Sequence, residues 1–213
     1  DRSGVGQQFA RPRQRQLHHL RQQPGQQDQH DRDDDDDNRA AMLQWLTDDL
    51  MANTQDWTIA IFHHPPYTKG SHDSDLPLGG VDQPIFAIRE EFTPVFEQYG
   101  VDLAYAGHSH IYERSYYING HYGLSNTFVP GMAELNGSGE PANGQGAEAY
   151  TQISSGSGID DKVVYTVAGN GGHVTSTSAG FPHPAHFSSE LEIGSVVIDL
   201  DANDSSGSTI TAY

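Results

Sequence analysis

Cysteine is absent from all 213 residues. That rules out a disulfide scaffold, a thiolate-bound zinc site and thiol catalysis. Lysine is nearly absent too: only two of the 11 cationic side chains are lysine, set against 29 carboxylates. The resulting formal charge of -18 argues against a surface built to hold nucleic acid, so no nucleic acid is expected as a structural partner. No apolar run approaches the roughly 18 residues that cross a bilayer, and no membrane span is expected. A basic-then-apolar leader is also missing from the first residues, so this chain is expected to carry no signal peptide. The acidic, lysine-poor composition points to salty or extracellular surroundings. Hydrophobic residues make up 35% of the chain, which is low for a compact domain and predicts a portion that does not pack.

That portion is residues 1–39. They hold seven of the 11 cations, nine glutamines and the run Asp33 to Asp37, with only Val5, Phe9, Leu17 and Leu20 as large apolar residues. Such a segment cannot bury enough apolar surface to offset its chain entropy. It reads as disordered or as non-native sequence, and residues 40–213 read as the folding part.

From Ala40 the pattern is α/β. Met42, Leu43, Trp45, Leu46 and Leu50 share a helical face, predicting a helix over about 41–52. Trp57 to Phe62 reads as a buried strand stopped by Pro65-Pro66. Residues 83–99 read as a helix interrupted near Pro94, with Gly100 as its stop. Strands are expected at Val101–Ala106, Ile111–Ile118 and Val163–Ala168, with a hairpin turn at Asn119-Gly120 and a terminal hairpin from Ile193 to Tyr213. Residues 125–160, rich in glycine, serine and asparagine, predict a long loop.

Two of these strands deliver histidines into a loop at their C-terminal ends: Phe62-His63-His64-Pro65 and Gly107-His108-Ser109-His110. Ligands gather at the carboxyl ends of strands, where backbone leaves a rigid sheet for an open crevice. Imidazole is neutral at pH 7 and binds Zn, Fe, Mn or Ni through either ring nitrogen. A His-x-His pair in a tight loop lets both rings reach one ion, or one ion each. Asp102 and Glu113 flank the second motif and are candidates for orienting its imidazoles.

The stretch Val101-Asp-Leu-Ala-Tyr-Ala-Gly-His-Ser-His-Ile-Tyr-Glu-Arg-Ser115 resembles the closing metal motif of the calcineurin-like metallophosphoesterases, in their purple acid phosphatase branch. Phe62-His63-His64-Pro65-Pro66-Tyr67 is similar to the histidine motif that precedes it, and Gly169-Asn170-Gly171-Gly172 to the turn after the last core strand. The resemblance implies that residues 40–213 are the C-terminal portion of a β-sandwich flanked by helices, an incomplete domain. It implies hydrolysis of a phosphate-ester substrate at two divalent or mixed-valence ions of Fe, Zn or Mn. In its register His63, His108 and His110 are metal ligands, and His72 contacts phosphate or protonates the leaving oxygen, with His64 a weaker candidate. It also implies a secreted or periplasmic enzyme. The family's upstream motifs, which carry its carboxylate ligands and an Asn-His pair, do not occur in residues 1–40. The chain by itself is therefore expected to bind metal weakly, because close dications need a bridging anion to offset their repulsion.

Two other readings compete: an inactive, truncated remnant serving as a binding module, and a serine hydrolase. Gly107-His-Ser109 begins like a nucleophile elbow, but the turn needs glycine at 111, where Ile111 stands. Replacing Ser109 by alanine separates the hydrolases. We expect Ser109→Ala to retain measurable phosphoester hydrolysis in a steady-state assay, whereas a serine nucleophile would lose all of it.

Overall fold

The computed structural model describes residues 29–76, 83–134, 162–204 and 207–212. Helix α1 (Gln29–Met51) leads into β1 (Ile59–Ile61). Helix α2 (Gln83–Ala87) passes through a π-helical turn at Ile88–Phe92 into α3 (Thr93–Gln98). Strands β2 (Leu103–Ala106), β3 (Tyr112–Ile118), β4 (Val163–Ala168), β5 (His186–Glu190), β6 (Ile198–Asp204) and β7 (Gly207–Ala212) follow.

β1 to β5 form one sheet in the order β1-β2-β4-β3-β5, and β6 and β7 form a separate two-stranded sheet. β1, β2 and β4 run parallel, with Ile59 opposite Leu103 and Leu103 opposite Val164. β3 and β5 are antiparallel additions on the far side of β4. Of the parallel strands, β2 and β4 are short, largely buried apolar runs, as expected of strands covered on both faces; β1, at the sheet edge, is only partly buried and leaves Ile61 exposed, unlike the buried strand expected there. Because they share one direction, their carboxyl ends open on one edge of the sheet. A core of Leu50, Ile88, Phe92, Phe96, Val101 and Tyr165 joins the helices to the sheet. This is the mixed α/β architecture expected: one mixed five-stranded sheet with few helices, beside a separate two-stranded sheet.

Several elements differ from expectation. α1 starts well upstream of residue 41, at Gln29, inside the segment expected to be disordered or non-native, where no apolar periodicity marks a helix. Asn119-Gly120 does reverse the chain, with Gly120 at φ 73, but the returning arm forms only a bridge between Ile118 and Ala133. The antiparallel neighbours of β3 come instead from β4 and β5, which complete its hydrogen bonding. β5, His-Phe-Ser-Ser-Glu, lacks the apolar alternation that announces a strand. Most of the expected 125–160 loop lies outside the described residues, and its start contains two 3-10 turns, Ser125–Thr127 and Pro130–Met132.

Three buried histidines line the interior beside Tyr67. The His121 ring stacks on Tyr67 at 5.2 Å, His183 lies 5.7 Å from His121, and His186 lies 5.5 Å from His183. Burial, with the nearby Arg89 guanidinium, lowers the His121 pKa from 6.5 to about 4 against a smaller opposing pull from Asp75. The unfolded chain therefore binds a proton at His121 more readily than the folded one. Its neutral form stabilises the fold fully above pH 6.5, and that contribution is lost as pH falls from 6.5 toward 4. The drop corresponds to about 3 kcal/mol for this fully buried ring. We expect His121→Phe to flatten the loss of denaturation free energy between pH 6.5 and 4 by an amount of that order, read by chemical denaturation across the range.

Candidate metal centre

Every histidine expected at the site, except His72, follows directly on the carboxyl end of a parallel strand. The Gly107 amide donates to the His63 carbonyl at 3.1 Å, zipping the two strand ends together one step beyond the sheet. His63 and His64 leave β1 side by side, their rings 4.8 Å apart. His108 leaves β2 with φ 62, a left-handed backbone that a residue with a Cβ seldom adopts. That twist turns its ring onto the others: His63 Nε2 lies 3.1 Å from His108 Nδ1, and the His64 and His108 ring centroids are 4.4 Å apart.

One donor atom each from His63, His64 and His108 lies within 4.8 Å of the other two. Three imidazole nitrogens this close fit a borderline ion such as zinc, which takes His nitrogen at about 2.0–2.1 Å. Among the described residues no other group of three or more His, Asp or Glu donors gathers in this way. The cluster contains no carboxylate. The donor set therefore fits one ion, and for a pair it supplies neither the bridging anion nor the negative charge. Partial enclosure of the ring, then repulsion from His72 and His110, holds His63 below the ordinary imidazole range, which favours the neutral form that can ligate.

His72 comes to the same place from the loop after Pro66, with its ring 3.8 Å from that of His108. That loop is held by Lys69, whose Nζ lies 2.7 Å from Asp73 Oδ1 and 2.9 Å from Asp75 Oδ2. Burial works against the Lys69 charge, but the two carboxylates outweigh it and raise its pKa. His110 is the expected ligand that stands apart: it is not a member of the close three-ring group, and its ring sits 5.4 Å from His173. Its amide donates to Ser71 Oγ at 3.2 Å, so the loop carrying His72 and the loop carrying His110 are in contact. A cavity of about 460 Å³ opens at the strand ends, lined by Ile61, Phe62, His63, Tyr105, Ala106, Gly107 and Ala168.

Of the two flanking carboxylates, Asp102 faces away from the histidines, accepting the Thr58 amide at the other end of the strands. Glu113 is fully buried under the loops, with Oε2 accepting the Thr68 hydroxyl at 2.6 Å, and Oε1 accepting the Lys69 amide at 3.2 Å and lying 3.1 Å from His186 Nδ1. Burial pushes its pKa up, but His186 and these donors more than reverse the push and hold it below the usual carboxylate range. Thr68, Ser71, His173 and His186 carry no motif signal. What singles out Thr68 is its place inside the continuously buried stretch of residues 64–70, which only the structure shows.

The family model for calcineurin-like phosphoesterase matches residues 7–112, which include both histidine loops. The chain belongs to this family. An uncharacterized protein of Mycobacterium tuberculosis is 34% identical over 85 residues, covering 38% of this chain and 14% of that protein. Phosphoenolpyruvate phosphatase of Allium cepa is 36% identical over 78 residues, covering 35% of this chain and 15% of that protein. The chain thus aligns with only about a seventh of the length of these curated relatives. A solved purple acid phosphatase from yellow lupin (Lupinus luteus) seeds overlays with a TM-score of 0.47 at 18% identity, covering 73% of this chain and 23% of that one.

The loops interlock through glycine. A Cβ at Gly169, just beyond β4, would lie 2.0 Å from the Ser109 carbonyl oxygen, a backbone atom that cannot step aside. At Gly107 the nearest atom would be His63 Nδ1 at 4.0 Å, so packing makes no such demand there. We expect Gly169→Ala to lower stability by about 1–3 kcal/mol in chemical denaturation, as overpacking does, whereas Gly107→Ala stays within about 1 kcal/mol of wild type.

Proposed function

We propose that the chain carries the histidine-bearing part of a metal-dependent phosphoesterase site and acts on phosphate esters. The observation that supports this most is the meeting of His63, His64 and His108 donors within 4.8 Å, at the joint carboxyl end of parallel strands in a chain of this family. His63 and His108 are the ligands on which geometry and motif agree. His64 completes the three-nitrogen group, and His110, beside His173, is the motif's remaining ligand and serves a second ion.

Bound at such a site, Fe, Zn or Mn supplies Lewis-acid stabilisation of phosphoryl charge and a water activated for attack. The chain's own residues do the rest. His72, beside His108, holds the phosphoryl oxygens by hydrogen bonding or protonates the leaving oxygen, with His64 the alternative only where its ring is not a ligand. Glycine and apolar lining at the strand ends leave room for a substrate while offering few competing charges. Composition and family together favour a secreted or periplasmic setting, and among the described residues no helix is long and apolar enough to cross a membrane.

The test is hydrolysis of a chromogenic aryl phosphate by the full chain with added Zn, Mn or Fe. We expect turnover to vanish on chelation and return on adding metal back. His108→Ala is expected to lower kcat/KM by roughly 100-fold or more, since it removes a ligand. His72→Ala is expected to cost about 100-fold or more while leaving metal affinity unchanged. Zinc binding to the three histidines without metal-dependent turnover would instead favour the inactive remnant, which binds but does not react.

A further inference from the structure

Glu113 lies on β3, outside the histidine loops, and none of its surface is exposed. A lone buried carboxylate is costly unless its lone pairs are met, and here they are met from two directions. Oε2 receives the Thr68 hydroxyl at 2.6 Å; Oε1 receives the Lys69 amide at 3.2 Å and lies 3.1 Å from His186 Nδ1.

Thr68 is the relay. Its hydroxyl has one proton, and the short contact commits that proton to the carboxylate. The Thr68 oxygen therefore serves as acceptor for its other neighbours: the Gly70 amide at 3.1 Å and the Ser109 hydroxyl at 3.0 Å. Ser109 stands between His108 and His110 and is itself fully buried. Ser71, one residue past Gly70, accepts the His110 amide at 3.2 Å. Space between the loops is already used up: a Cβ at Gly70 would lie 2.2 Å from Ser109 Oγ.

We propose that Glu113 is the positioning residue of the site: through Thr68 it fixes the loop of His72 against the loop of His108 and His110. The charge is what sets the direction of the whole relay. A neutral amide in its place presents an N–H₂ group to one of the donors it now accepts, and the chain of hydrogen bonds loses its polarity. The proposal rests on the reading of these histidines as the metal- and phosphate-binding groups, and its test keeps the two separable.

The experiment compares Glu113→Gln, the near-isosteric Thr68→Val and the hydroxyl-preserving Thr68→Ser in the full chain. Asp102→Asn is a control, because that buried carboxylate serves Thr58 far from the histidines. Amide hydrogen exchange is followed by NMR without added metal, and kcat and KM are measured with metal. Glu113→Gln and Thr68→Val are expected to speed exchange at Gly70 and His110 at least about tenfold more than at core amides of β4. With metal they are expected to lower kcat about 10–100-fold while KM stays within about threefold. Thr68→Ser is expected to restore both readouts to near wild type, and Asp102→Asn to leave both unchanged.

Wild-type exchange at Gly70 and His110 in Thr68→Val overturns the proposal even if Glu113→Gln fails to fold. So does an Asp102→Asn variant that reproduces the Glu113→Gln pattern. A wild-type chain without metal-dependent turnover strikes the phosphoesterase reading alone, and the exchange data still decide the role of Glu113.

Discussion

The structure depends on burying a loop. Residues 64–70 run through the interior directly after β1, where most connections would lie on the surface. Backbone polar groups taken out of water must find partners, and the rest of the molecule is arranged to supply them. Ser74 meets Thr68 through both its amide and its hydroxyl. Ser178 meets the carbonyls of Lys69 and Gly70 at 2.8 Å each. Arg89, fully buried in the π-helical turn, donates to the Ser74 carbonyl at 2.6 Å and the Pro66 carbonyl at 3.4 Å. Segments far apart in the chain thus meet at one loop, and its interior path brings both His64 and His72 against His108.

That burial also explains the electrostatics. The chain is strongly acidic, yet among the described residues the carboxylates stay out of the histidine group. Asp73 and Asp75 are tied to Lys69, Glu113 is committed beneath the loops, and Asp102 faces the opposite end of the sheet. The three rings that meet are donors suited to one soft-to-borderline cation and poor hosts for two. A second ion requires negative charge from beyond this group.

The histidine ends of β1 and β2 were legible because an apolar run broken by Pro65 or Gly107 marks a strand end, and paired histidines there mark ligands. Sheet order was not legible: β4 inserts between β2 and β3, and nothing local to those runs announces it. Nor was β5, whose polar sequence becomes a strand only because β3 has a free edge. Spacing shows that His63, His64, His108 and His110 share a loop cluster but cannot say which rings face one another. That is settled by the left-handed turn at His108, a backbone feature with no glycine or asparagine to advertise it. The polar relay under the loops was half visible, since Glu113 could be named from its motif while its partners Thr68 and His186 could not.

The parallel register carries a kinetic consequence. β1 finds its neighbour only at Leu103, and β2 finds its second neighbour only at Val164. Contacts between such distant segments form late and slowly, because the intervening chain must be closed before any of them is rewarded. His63 and His64 share one loop, but the third ring, His108, reaches them only when β2 pairs with β1, so the three-ring cluster has no local precursor. It comes into being with the cooperative folding of the sheet and dissolves with it, and an ion that binds there draws on the stability of the whole domain rather than on that of one loop.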